Sequence, residues 1–178
     1  MIFSNSIVAS FIGAASMKEF NSDLDNLKKD TPLWYVDHMA PMNDMFERIL
    51  IRGWAFVETK QPNTERRISM FLQNSDSCYS VDFQDSMVKR TDVLSVHPQA
   101  GSDAVGFSGE FTLLGMKDGM YKLYLYVWEN DVNYGLIDTG EWYKKEGSHF
   151  AQVSEQSEST EPSESMEQQL PSSTTQTM

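Results

Sequence analysis

The chain has too few cysteines and histidines for a disulfide framework or a zinc centre. It contains one cysteine, Cys78, in 178 residues, so no internal disulfide can form and packing must stabilise the fold. The three histidines, His38, His97 and His149, lie far apart in the sequence, and none falls in a spacing that gathers ligands around a metal. We therefore predict a protein without a metal site or a cofactor.

Clustered positive charge is also missing. The 14 lysines and arginines are scattered among 26 acidic residues, and the formal net charge is −12. An acidic surface repels phosphate backbones, and without a basic cluster it cannot release counterions from a nucleic acid. We therefore predict that the protein does not bind nucleic acid.

The N-terminal residues contain an apolar run that is too short to cross a membrane. Ile7–Ala15 has nine residues, whereas a membrane-spanning helix needs about 20. The run resembles the hydrophobic region of a signal peptide, although no Lys or Arg precedes Lys18. Residues 1–30 are predicted to be a flexible N-terminal segment. One interpretation of its start is an export signal or the remnant of a membrane segment. The alternative is a short helix or a disordered stretch. Leucines at helical spacing predict a linker helix within Asp23–Lys29.

Catalytic motifs are absent from the sequence. Gly106-Phe107-Ser108-Gly109 is one residue too short for the nucleophile elbow of a serine hydrolase, and a strand follows it where a helix would be required. The acidic positions between Asn74 and Asp85 have the spacing of a calcium loop, but Tyr79 stands where the sharp turn requires glycine. No glycine-rich phosphate loop opens a helix. We therefore predict that the protein is not an enzyme.

The composition and the alternation of residues predict strands. Aromatic residues make up 12% of the chain and 10 glycines are spread through it, which favours strands and tight turns over long helices. About seven short strands separated by turn residues are typical of an antiparallel sandwich. We predict an all-β domain of this kind within residues 31–147. Its predicted strands are Leu33–His38, Arg48–Val57, Arg67–Gln73, Tyr79–Gln84, Gly109–Leu113, Tyr121–Glu129 and Gly135–Tyr143.

The C-terminal residues 148–178 have a different composition. They consist mostly of Ser, Thr, Glu, Gln and Pro, with little apolar surface to offset the entropy that ordering would cost. We predict a disordered tail that provides spacing and solubility.

One predicted strand carries aromatic side chains on the face that should meet water. In Tyr121–Trp128 the apolar residues that alternate on one face leave Tyr124, Tyr126 and Trp128 on the other. Such a row either packs beneath another part of the protein or a partner, or stacks on sugar rings. These three residues are the candidate ligand-binding residues.

Three further residues are predicted to have structural roles. Trp54 follows Gly53 in a strong strand, where a large aromatic side chain usually fills the space between two sheets. Arg90 is expected to clamp neighbouring segments through its planar guanidinium, and Asp92 to accept hydrogen bonds from backbone amides of the turn that it begins.

Four short segments occur in a fixed order. They are Gly53-Trp54-Ala55-Phe56, Arg90-Thr91-Asp92-Val93, Gly106-Phe107-Ser108, and Gly119-Met120-Tyr121 running into the strand that ends at Trp128. Together they resemble an Ig-like antiparallel β-sandwich accessory module found in surface and polysaccharide-associated proteins of Firmicutes bacteria. The resemblance covers about residues 34–145. Thr91 stands where such modules more often have proline.

The resemblance implies a non-catalytic module in which Trp54, Arg90, Asp92 and Phe107 are structural positions. It favours a location in the cell envelope or outside the cell over the cytoplasm. The expected function is a binding or interaction module that recognises a glycan or docks a partner protein, with membrane association only through the N-terminal segment. The alternative is a structural spacer without a ligand.

Overall fold

The computed structural model describes residues 15–58, 66–83, 87–129 and 133–153. They form two β-sheets packed face to face, and strands account for 56% of the structure with almost no helix, which confirms the predicted all-β sandwich. No helix in this part of the chain is long and apolar enough to span a membrane. The apolar run at Ile7–Ala15 lies outside the described residues except for Ala15.

Besides 3-10 turns at Leu24–Leu27 and Pro98–Ala100, eleven strands and one short α-helix follow one another along the described residues. They are β1 (Ala15–Ser16), β2 (Lys18–Glu19), β3 (Leu33–Pro41), β4 (Arg48–Phe56), β5 (Arg67–Gln73), β6 (Cys78–Asp82), β7 (Met87–Val88), α1 (Thr91–Val96), β8 (Gly106–Thr112), β9 (Gly119–Trp128), β10 (Tyr134–Glu146) and β11 (His149–Val153). The seven predicted strands correspond to β3, β4, β5, β6, β8, β9 and β10.

The strands are divided between two sheets. The first has the order β1-β8-β4-β3, with β7 also paired to β8. The second has the order β11-β10-β9-β5-β6-β2. All pairs are antiparallel except that of β1 with β8.

The core lies between the two sheets and is built by alternating side chains. In β9, the residues Tyr121, Leu123, Leu125 and Val127 are all fully buried and face β4 and β8 of the first sheet. Phe107 of β8 is buried with them, and its ring stacks on Phe83 at 5.4 Å between centroids. Burial of aromatic and branched side chains on both inner faces is the main stabilising contribution to such a sandwich.

The sandwich continues past the predicted domain end at residue 147. Strand β11 pairs with β10 from Trp142↔Val153 to Glu146↔His149. Phe150 is 2% exposed, and its ring stacks on Tyr143 at 5.1 Å. The prediction of a tail from residue 148 is therefore wrong for residues 148–153, because one aromatic side chain buries enough apolar surface to order this strand. The rest of the predicted tail lies outside the described residues.

Residues 15–30, the described part of the predicted N-terminal segment, belong to the sandwich as well. Strand β1 joins the first sheet and β2 joins the second. The predicted linker helix at Asp23–Lys29 is a single 3-10 turn at Leu24–Leu27, which Asp23 caps by accepting a hydrogen bond from the Asp25 amide. The strap, defined as residues 20–30, then crosses the outer face of the second sheet.

The strap leaves this face beside the first part of β10, which β11 does not pair. The Asp30 amide donates to the Tyr134 carbonyl at 3.0 Å. A Cβ on Gly135 would lie 2.4 Å from the Asp30 carbonyl oxygen, so only glycine permits this close crossing.

Candidate binding face

The candidate residues lie on the outer face of the second sheet, in the middle of three paired strands. Tyr124 lies between Phe71 of β5 and Asp138 of β10, and the next positions along the same strands surround Tyr126 and Trp128. The alternation predicted from sequence thus places all three side chains on one face. Their surroundings differ, so the row is not one continuous platform.

The strap covers the middle of this face. Leu24 and Phe71 are buried there with Cys78 and Leu136, and the Phe20 ring meets Phe71 edge-on at 4.9 Å. Tyr124 and Tyr126 pack against this cluster from either side and are half-buried. The chain's own N-terminal segment therefore covers part of the aromatic row.

Trp128, at the end of the row, is covered by a charged side chain. The Arg67 guanidinium lies 4.8 Å from the centre of the indole ring, within the range of a cation–π interaction. Arg67 therefore covers one face of the indole, and Trp128 does not line the cleft that Tyr124 lines.

Tyr124, by contrast, lines a cleft of about 500 Å³ together with Trp142. Trp142 of β10 lies opposite Lys122 of β9 in the sheet. The Lys122 ammonium is 5.7 Å from the Tyr124 ring and 5.8 Å from the Trp142 ring. Two aromatic rings therefore flank one cation on this part of the face.

Lys122 is held in place by Asp138. Its Nζ donates to Asp138 Oδ2 at 2.6 Å. Burial alone would raise the pKa of Asp138, but hydrogen bonds from Lys122 and from the Gly140 amide lower it below its ordinary value. Asp138 is thus ionised at neutral pH and balances the charge of Lys122.

The polar side of the cleft is formed by two turns. Asn74 Oδ1 accepts hydrogen bonds from the amides of Asp76 and Ser77 at 2.9 and 2.7 Å, which fixes the turn between β5 and β6. Across the cleft, Asp118 accepts from the Gly147 amide at 3.0 Å, and this bond is the main reason why its pKa is lowered. Carboxylate and amide groups therefore stand at fixed positions beside the aromatic rings.

Trp54 is not between the sheets, so its predicted position is wrong. The inner face of β4 carries Ile49, Ile51, Gly53 and Ala55, and the indole lies on the opposite face. There it stacks on Phe56 at 5.8 Å and lies 5.5 Å from His97, in a separate cluster beneath α1.

Phe107 takes the position predicted for Trp54. A Cβ on Gly53 would lie 2.6 Å from Cζ of Phe107, so the Phe107 ring fills the space that the glycine leaves open. Because glycine is needed beneath this ring, the tryptophan that follows it must point outward.

Arg90 and Asp92 form a clamp at the start of α1. The Arg90 guanidinium binds both carboxylate oxygens of Asp92, at distances from 2.7 to 3.1 Å, and Asp37 of β3 at 2.6 Å. Hydrogen bonds from Arg90 are the main reason why the pKa of Asp92 falls to about 2, although desolvation acts in the opposite direction. The clamp therefore links the helix to the edge of the first sheet.

Sequence reasoning missed a buried ion pair and the second aromatic residue of the cleft. Arg66 donates to Glu129 through Nε at 2.8 Å, and also to the carbonyls of Ala100 and Ala104. The pairing Arg67↔Trp128 makes Arg66 and Glu129 neighbours, but this register cannot be derived from either strand alone. The position of Trp142 could likewise not be predicted from the sequence, because it depends on a bulge in β10.

Among the described residues no group of three His, Cys, Asp or Glu side chains could hold a metal ion. No family model matches the chain, and searches of the curated proteins and of the solved structures find no match. The resemblance to bacterial Ig-like accessory modules stays a prediction.

Proposed function

We propose that this domain is a non-catalytic binding module that takes a sugar ring of a glycan in the cleft between Tyr124 and Trp142. The proposal rests chiefly on the pairing of two partly exposed aromatic rings with fixed polar groups in one cleft. Aromatic faces stack on the apolar faces of sugars, while polar groups at the side choose among the hydroxyls.

The polar groups of the cleft suit a ligand rich in hydroxyls. Asp76 on one turn and Asp118 on the other present carboxylate oxygens, and the Lys122 ammonium is a donor between the two rings. The turns are fixed by their own hydrogen bonds, so binding would order few additional groups.

Charge favours a neutral glycan over an acidic one. Asp76 and Asp118 line the cleft, Lys122 is balanced by Asp138, and the whole chain carries −12. A field of this sign repels uronates and other anionic sugars. A location in the cell envelope, expected from the resemblance, would bring such a module near neutral polysaccharide.

The test is a titration of neutral oligosaccharides and soluble cell-wall polysaccharide fragments, followed by tryptophan fluorescence and by amide NMR shifts of β9 and β10. We expect saturable shifts around Lys122 and Trp142 that are lost in Trp142→Ala. Trp128→Ala is the matched control, because Trp128 lies on the same face outside the cleft, and it should bind like the native protein. The proposal would be overturned if the shifts persist in Trp142→Ala. It would also be overturned if none of the glycans causes a saturable shift.

The second candidate is a structural spacer without a ligand. The covering of the aromatic row by the strap and by Arg67 favours it, because such contacts account for part of the row without any partner. The same titration separates the two functions, since a spacer binds none of the glycans.

A further inference from the structure

A second cleft lies on the other side of the strap, above β5 and β6. It encloses about 470 Å³, a volume typical of sites for small molecules. Phe20 and Leu27 of the strap line it together with Phe71 and Tyr126 of the sheet. Three aromatic rings and one leucine thus form an apolar site for a compact, flat molecule.

Two serine hydroxyls line this apolar cleft. Ser69 pairs with Tyr126 across the sheet, and Ser80 pairs with Phe71. Both serines are half-buried, and neither hydroxyl makes a hydrogen bond within the part of the chain that the structure describes. A hydroxyl can both donate and accept, so each of these half-buried serines can exchange a water molecule for a polar group of a ligand. The two serines are therefore suited to hold a polar group of a ligand.

The charged residues of the cleft favour an uncharged ligand. Lys18 and Asp82 line it and have opposite signs. Together they favour neither a cation nor an anion, and a charged ligand would lose its own hydration on entering the apolar part. A neutral molecule avoids this loss.

We propose that this second cleft binds a small uncharged ring compound with a hydroxyl group, of the phenol class. The ring lies among Phe20, Phe71 and Tyr126, and the phenolic hydroxyl donates to one serine and accepts from the other. The site is independent of the proposed glycan cleft, which uses Tyr124 and Trp142.

The test compares four probes by amide NMR titration of the whole chain. The probes are p-cresol, toluene as its match without a hydroxyl, and benzoate and benzylamine as charged analogues. We expect saturable shifts of Ser69, Ser80 and Tyr126 with p-cresol, and binding about 3- to 10-fold weaker with toluene, as the loss of one or two hydrogen bonds predicts. The charged probes should give no saturable shift at these residues.

Two variants test the role of the hydroxyls. The double variant Ser69→Ala, Ser80→Ala should lower the affinity for p-cresol to that for toluene. The control is Ser108→Ala, which changes a half-buried serine of the other sheet and should leave the affinity for p-cresol unchanged. Equal binding of p-cresol and toluene, or an unchanged affinity in the double variant, would show that no phenol site exists there.

A third variant tests the location. Trp142→Ala, which removes a wall of the other cleft, should leave p-cresol binding intact, and Leu27→Trp should abolish it by filling the second cleft. If p-cresol binds as before in Leu27→Trp, or is lost in Trp142→Ala, the second cleft is not its site. Thermal unfolding of each variant confirms that it is folded before the titration.

Discussion

Nη2 of Arg66 lies 2.5 Å from Oε1 of Glu129, and the two side chains are 2% and 0% exposed. The pair joins the residue before β5 to the residue after β9, and Arg66 also donates to the carbonyls of Ala100 and Ala104. One buried guanidinium therefore connects the second sheet to the segment between α1 and β8. Removing one partner of such a pair leaves a buried charge without compensation.

We expect Glu129→Leu to lower the free energy of unfolding by about 3–5 kcal/mol, because it leaves the Arg66 charge buried without its carboxylate partner. Adding Arg66→Met should recover most of this loss, although the two alanine carbonyls then lose their donor. Chemical denaturation of both variants measures the difference. A loss below about 1 kcal/mol for Glu129→Leu alone would mean that the pair is hydrated in solution.

Phe107 and Trp54 should differ in their contribution to stability. Phe107→Ala empties a fully buried site between the sheets and should cost about 3–5 kcal/mol. Trp54→Ala should cost less, because the indole is half-buried on the outer face of β4 and water can reach its site. Denaturant unfolding of the two variants decides the order. A larger loss in the free energy of unfolding for Trp54→Ala than for Phe107→Ala would indicate that Trp54 lies between the sheets, as the sequence predicted.

The long strands could be predicted because each carries its own signal. Alternation in β9 separates Leu123 and Leu125 from Tyr124 and Tyr126, and the structure has this separation. Which strands pair, and in which register, depends on contacts between distant residues, so it cannot be derived from one segment. The position of Trp54 shows the same limit at one residue, because it depends on Phe107 filling the space above Gly53.

The candidate cleft depends on one irregularity that the sequence does not reveal. The register of β10 against β9 shifts between Asp138 and Trp142, and Gly140 within the bulge has a φ of +72°. The shift places Trp142 opposite Lys122. Bulges of this kind redirect side chains, and here the bulge brings the second ring to Tyr124.

Truncation should distinguish the end of the domain from the remainder of the tail. A chain ending at Gly147 loses β11 and the buried Phe150, so its melting temperature should fall by about 5 °C or more. A chain ending at Val153 keeps the strand and should melt like the full chain, because the composition beyond it offers little apolar surface to bury. Equal melting temperatures for the two truncated chains would contradict the role of β11.

The Arg90 clamp predicts a pH effect at low pH. The pKa of Asp92 is lowered from 3.8 to about 2, chiefly by the hydrogen bonds from Arg90. Because the folded pKa is the lower one, the stabilisation is present above about pH 4 and is lost as the pH falls through 2. We expect Arg90→Gln to return the pKa of Asp92 to about 3.8 in a carboxyl NMR titration. Arg52→Gln, on the neighbouring strand, should leave it at about 2, and an unchanged value in Arg90→Gln would refute the assignment.

Cys78 should report the opening of the strap. It is 7% exposed beneath Leu24 and Phe20, and burial raises the pKa of its thiol to about 11. Thiol reagents need the thiolate, so labelling of the native protein at pH 8 should be slow. We expect Leu24→Ala to speed the labelling by at least about tenfold, because it weakens the packing that covers Cys78.

The matched control for the strap is Leu94→Ala, which shortens a leucine in the cluster beneath α1, far from Cys78. It lowers stability by a similar mechanism without touching the strap, so its labelling rate should follow the native one. If both variants label at the same rate, Cys78 becomes accessible through global unfolding. The strap and the second sheet would then open as one cooperative unit.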